Sequence, residues 1–152
     1  MERNRAIASM KNINIDALIS HVLKLWSRSK KQILGEFGLT GSQFEILTAL
    51  YDLSASGRDI IQINLSEETG IDPMTTSSIL RNLEKGCIIT RVRGRIDTRV
   101  IYIGLTDHGK NLYKAASVKM ANCCDNLYRN VNKENLTIQL LSLSRELNKF
   151  NN

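Results

Sequence analysis

Apolar positions recur along this chain at helical spacing, with one β-rich interruption. Ile15, Leu18, Ile19, Val22, Leu25, Trp26, Ile33 and Leu34 share one face, and Leu23 adds apolar surface beside that stripe. Asn14 or Asp16 starts this helix, which ends near the glycines at 35 and 38. Thr40 caps a second helix over 41–53, with Phe44, Leu47 and Leu50 inward. Residues 54–59 read as a loop, and Ile60 to Ile63 as a short strand beside a later hairpin. A short helix follows and stops at Gly70, whose missing side chain suits a left-handed helix end. Asp72 caps the next helix, with Pro73 at its first position, Ile79, Leu80 and Leu83 inward, and Gly86 as its end. Residues 88–93 and 100–105 are β-rich and turn at Gly94. Thr106 then caps a long helix to about residue 130 through Leu112, Tyr113, Ala116, Val118 and Met120. Asn132 caps a last helix whose Leu136, Ile138, Leu140, Leu141, Leu143 and Leu147 cover most of its circumference.

This order is helix, tight turn, helix, two-stranded ribbon, so the expected fold class is mainly α with a small antiparallel β wing: a winged helix-turn-helix. The helix after the turn exposes Thr75, Ser77 and Ser78, short donors and acceptors, and one turn later the long cation Arg81; Met74, Thr76 and Lys85 complete the candidate recognition-helix residues. That mix suits a helix in the major groove of double-stranded DNA, where its first residues read base edges and its cations hold phosphates. The ribbon adds charge, with Arg91 in its first run and Arg93, Arg95 and Arg99 around its tip, and these with Asp97 are the candidate wing residues. Residues 81–99 hold six Arg or Lys against Glu84 and Asp97, a net of +4. A cationic hairpin behind such a helix fits phosphates and the minor groove. Asp97 is read as pairing with Arg99 and aiming its guanidinium. A solvated basic hairpin without a nucleic-acid partner is the plainer reading of the charge alone. With it goes the alternative function, a winged-helix protein-interaction module with no DNA readout.

The whole chain carries +6, unevenly: residues 36–80 are net −6 between basic flanks. Charge is placed locally, which favours an oriented nucleic-acid face over diffuse attraction. The first and last helices carry more apolar surface than a small core can cover, so they are expected to form a homodimer interface. Residues 1–12 are polar and read as an arm or frayed end. No transmembrane run or signal-peptide core is evident, so the expected setting is cytoplasmic, with no membrane partner.

At these residues the chain resembles the MarR family of winged helix-turn-helix regulators. The resemblance runs over residues 38–115: Gly38-Leu39-Thr40 with Gln43 and Leu47, Leu65-Ser66 with Gly70-Ile71-Asp72, Leu83-Glu84-Lys85-Gly86, Asp97-Thr98-Arg99, and Leu105-Thr106 with Gly109. Its strongest part is the Asp-x-Arg wing followed by Leu-Thr-x-x-Gly. Ser66 stands where the family usually has Ala, Thr69 where a large aliphatic is common, Thr76 where Val or Ile is common, and Cys87 where Leu follows the glycine. The resemblance implies a homodimeric, ligand-responsive repressor on a pseudo-palindromic operator. It implies residues 1–36 as an N-terminal dimerisation helix, 37–105 as the DNA-binding domain and 106–152 as C-terminal dimerisation helices. It also implies a pocket for a small aromatic or anionic effector, with His21, Trp26, Phe44 and Tyr113 as candidate lining.

Other chemistry is sparse. His21 and His108 are far apart and no cysteine stands at zinc spacing from either, so neither a metal site nor a cofactor is expected. No phosphate loop, nucleophile elbow or catalytic constellation occurs, and the chain does not read as an enzyme. Cys123-Cys124 is read as a pair of structural or incidental thiols rather than an oxidant sensor, because adjacent helical residues point about 100° apart and a mutual disulfide is strained.

Overall fold

The computed structural model describes residues 14–151. The expected arm at 1–12 lies outside the described residues. The elements are α1 (Ile15–Gly35), α2 (Gly41–Ser54), α3 (Gln62–Thr69), α4 (Pro73–Lys85), β1 (Ile89–Arg93), β2 (Ile101–Leu105), α5 (Asp107–Leu127) and α6 (Lys133–Asn151). The fold is thus mainly α with an antiparallel β wing. Two compact units result, one extending to Ala116 and one from Ser117.

In the first unit, local chemistry sets the helix boundaries. Asn14 Oδ1 accepts from the Ala17 N–H at 3.0 Å and starts α1. At α2 the cap is reciprocal: Thr40 Oγ1 accepts from the Gln43 N–H at 3.2 Å, while Gln43 Oε1 accepts from the Thr40 N–H at 2.8 Å. The core beneath is Leu34, Leu39, Ile46, Leu47, Leu50, Leu65, Leu80 and Leu83.

The segment at 60–63 differs from expectation. Ile61 makes one bridge to Tyr102, and the Ile60 carbonyl accepts from the Ile103 N–H at 2.8 Å, but no strand continues. Asn64 Oδ1 accepts from the Ile61 N–H at 3.0 Å, which closes the first turn of α3 and starts the helix at Gln62.

The turn from α3 to α4 follows the expected chemistry. Gly70 is left-handed, with φ +69°. Asp72 Oδ1 accepts from the N–H groups of Met74 (3.1 Å) and Thr75 (3.0 Å). At the other end of α4, Gly86 caps the helix as expected. Gly86 follows the helix with φ −79°, and the left-handed residue is Cys87, with φ +55°. The Cys87 N–H and carbonyl are both engaged, by Glu84 O at 2.9 Å and by the Thr106 hydroxyl at 2.8 Å, and these contacts hold a conformation that L-residues rarely adopt.

β1 and β2 pair in register Ile89 with Leu105, Arg91 with Ile103 and Arg93 with Ile101. α5 starts where Thr106 caps it. Its early turns belong to the winged unit: Tyr113 packs against Tyr51 (ring centroids 4.7 Å apart) and Phe44 (5.7 Å), and Ala116 is buried.

In the second unit, Asn132 Oδ1 accepts from the Asn135 N–H at 2.9 Å and caps α6 as expected. Every residue of α6 except Leu136 is exposed, including Ile138, Leu140, Leu141, Leu143, Leu147 and Phe150. Ile15, Leu18, Val22, Leu23 and Leu25 of α1 are also exposed.

Candidate nucleic-acid interface

The turn between α3 and α4 is held by hydroxyl groups. Ser66 Oγ donates to the Ile71 carbonyl at 2.6 Å, and Thr76 Oγ1 donates to the same oxygen at 3.2 Å. Thr69 Oγ1 donates to the Leu65 carbonyl at 2.7 Å and accepts from the Ile71 N–H at 3.3 Å. Ser66, Thr69 and Thr76 therefore converge on the backbone of one turn residue. Both polar groups of Ile71 are satisfied there.

This placement corrects the reading of Thr76, which is fully buried and faces the turn rather than the solvent. It follows Ile79, Leu80 and Leu83 on the inward face of α4. Thr76→Val keeps the β-branched shape and leaves Ser66 on the Ile71 carbonyl, so a loss of about 1 kcal/mol is expected in urea denaturation. Any DNA affinity of the folded variant should be unchanged. A large affinity loss at unchanged stability would return Thr76 to the interface.

The outward face of α4 presents Met74, Thr75, Ser78, Arg81 and Lys85, all exposed, with Ser77 half-buried. Arg81 lies along the helix, its Nε–H donating to the Ser77 carbonyl at 3.3 Å. Hydrogen bonds from Thr75 hold the Asp72 carboxyl below the usual range, its side chain first and its backbone next. A depressed folded-state pKa means that the cap's stabilisation is present at neutral pH and lost as pH falls through the folded value.

The wing sorts its arginines into two groups. Arg93, Arg95 and Arg99 are exposed around the tip. Arg91 is turned inward, with Nη1 3.3 Å from Glu84 Oε2 and a side chain only 15 % exposed. The strand period explains this second correction: Arg91 shares its face with Ile89 and lies opposite Ile103, both buried. It ties the wing to the end of α4 instead of reaching outward.

Asp97 is also reassigned. Its Oδ1 accepts from the Arg99 backbone N–H at 2.9 Å, and its carbonyl accepts from the Val100 N–H at 3.2 Å. It builds the turn, as Asp side chains do two residues on, and does not orient the Arg99 guanidinium. Gly94 belongs to the same turn, since a Cβ there would lie 2.5 Å from the Asp97 carbonyl oxygen.

Sequence reasoning passed over Gln62. Its amide donates to the Pro73 carbonyl at 3.1 Å, and it lines a cleft beside α4 with Pro73, Met74, Ser77 and Arg81. Placing 60–63 in a strand hid it; Asn64, three residues after Ile61, was the available signal of a helix start.

Of the candidate effector residues, Phe44 and Tyr113 are brought together and Tyr51 joins them. Trp26 is half-buried under the Lys30 ammonium, 5.8 Å from the ring centroid, and His21 is exposed on α1. A cleft of about 470 Å³ between α1 and α2, lined in part by Ser27, Lys30, Leu39 and Glu45, includes none of the four. Cys123 and Cys124 are free thiols. Burial, and then the charges of Cys123 and Asp125, push the Cys124 thiol up, the opposite of an activated thiolate.

Residues 28–116 match the family described as Transcriptional regulator SarA/Rot. The chain belongs to this family. YdcH of Bacillus subtilis, an HTH-type transcriptional regulator, is 31% identical over 99 residues, covering 65% of this chain and 67% of YdcH. The fold is that of MarR-type regulators. The Staphylococcus aureus MepR–DNA complex superposes with a TM-score of 0.79 at 24% identity, covering 91% of this chain and 99% of MepR. A MarR family regulator from Rhodococcus sp. RHA1 gives a TM-score of 0.70 at 17% identity, covering 85% and 89%. This SarA/Rot-family regulator thus has the winged helix-turn-helix that its sequence pattern implied. No helix among its described residues is long and apolar enough to cross a membrane.

Proposed function

We propose that this regulator is a cytoplasmic, homodimeric, sequence-specific DNA-binding protein, a ligand-responsive repressor and not an enzyme. The observation that carries the DNA reading is the exposed face of α4 beside a wing whose Arg93, Arg95 and Arg99 are all free of the core. α4 lies in the major groove, its first turn toward base edges and Arg81 and Lys85 toward phosphates, while the wing follows the backbone into the minor groove. A two-fold dimer repeats this pair about one helical turn away, so the operator is a pseudo-palindrome.

Residues 1–36 and 106–152 serve dimerisation around a DNA-binding domain at 37–105. The support is the exposed apolar surface of α1 and α6, which water does not favour. Leu141→Asp is expected to leave the winged unit folded, shift sedimentation equilibrium from dimer to monomer and weaken operator binding more than tenfold. A dimer that survives the charge would exclude α6 from the interface. A small aromatic or anionic effector beside Phe44 and Tyr113 would act by binding one state of the dimer more tightly than the other.

Retention of genomic duplex by the purified protein tests the reading. Binding that falls steeply with salt is expected. No retention at low salt, with stoichiometric recovery of an acidic protein, would favour the protein-interaction module instead.

A further inference from the structure

We infer that Met74 reads the C5-methyl group of a thymine in each half-site; the inference rests on the DNA reading proposed above. Met74 is the second residue of α4 and is 84% exposed. Its backbone N–H is already used by Asp72 Oδ1, so the main chain there is not free to hold a phosphate. Its side chain carries no N–H or O–H donor and cannot pair with the polar edge of a base. The one major-groove feature matching an exposed thioether is the thymine methyl.

The neighbours sharpen the assignment. Thr76 is buried, and the Thr75 N–H, like that of Met74, is used by Asp72 Oδ1. The first turn of α4 therefore offers no long polar side chain, and Met74 is the group that reaches furthest there. Gln62, Pro73, Ser77 and Arg81 share with it a shallow cleft of about 300 Å³. Methionine is unbranched and polarisable, so it adapts to a methyl presented at the mouth of such a cleft.

The test uses the full chain and an operator selected from genomic duplex, with each thymine replaced in turn by deoxyuridine. That swap removes the methyl group and leaves every base-pairing edge intact. Wild-type affinity is expected to fall about fourfold per half-site at one symmetric position and to be unchanged elsewhere. Met74→Leu should keep this sensitivity. Met74→Ala should bind more weakly and respond equally to thymine and uracil; at so exposed a position it should fold as wild type. Indifference of the wild type to every replacement, or undiminished sensitivity in Met74→Ala, would overturn the inference while leaving the DNA reading intact. Failure to retain any duplex would overturn both.

Discussion

Gly109→Ala is expected to destabilise the winged unit by about 3 kcal/mol or more, at or beyond the usual range for overpacking. A Cβ at this position would lie 2.0 Å from the Ile88 carbonyl oxygen and 2.9 Å from its carbon, so the obstacle is backbone and no rotamer relieves it. The same oxygen accepts from the Thr106 N–H at 3.2 Å, and Thr106 Oγ1 lies 3.0 Å from it while accepting from the Gly109 N–H at 2.9 Å. Displacing Ile88 would thus disturb the start of β1 and the cap of α5 together. Gly41→Ala is the control: no atom lies within 4 Å of its Cβ, and it sits in the first turn of α2. It should be neutral or stabilising by less than about 1 kcal/mol. Urea midpoints measure both, and a Gly109→Ala midpoint equal to wild type would refute the close approach.

The second large effect concerns the wing. Removing the outward arginines in Arg93→Ala/Arg95→Ala/Arg99→Ala should weaken operator binding by about 10² at moderate salt. It should also reduce the slope of log affinity against log salt by about one for each phosphate no longer neutralised. Arg91→Ala should behave differently, because its partner is Glu84 and its side chain is largely covered. It should cost about 1 kcal/mol of stability and leave the salt slope unchanged. Fluorescence anisotropy titrations across a salt series separate the two groups. An Arg91→Ala slope reduced as far as that of the triple variant would contradict the inward placement.

How far these features were legible in the sequence depended on how local they are. Thr40, Gly70, Asp72 and Asn132 are caps and helix ends as expected, Asn14 is the one of the two candidate starts that caps α1, and all act within a few residues of themselves. The β-rich runs at the wing pair with each other as expected. Thr76 was misplaced because composition shows a hydroxyl near a DNA-facing turn but not that Ser66, Thr69 and Thr76 gather on Ile71. The strand period was enough to turn Arg91 inward with Ile89, yet the count of cations obscured it. Gly86 is the helix end that its type suggests, while the contacts from Glu84 and Thr106 put the left-handed conformation on Cys87. The exposed apolar faces of α1 and α6 were legible as faces; what covers them is a property of an assembly.

On the function proposed above, two copies of α4 and the wing read one two-fold DNA site. Sequencing the genomic duplexes selected by purified protein at two salt concentrations tests it most directly. The expected result is an enriched inverted repeat whose half-sites lie about one helical turn apart, retained at both concentrations while background is lost at the higher. Retention that vanishes with salt and leaves no shared motif, or no retention even at low salt, would contradict it.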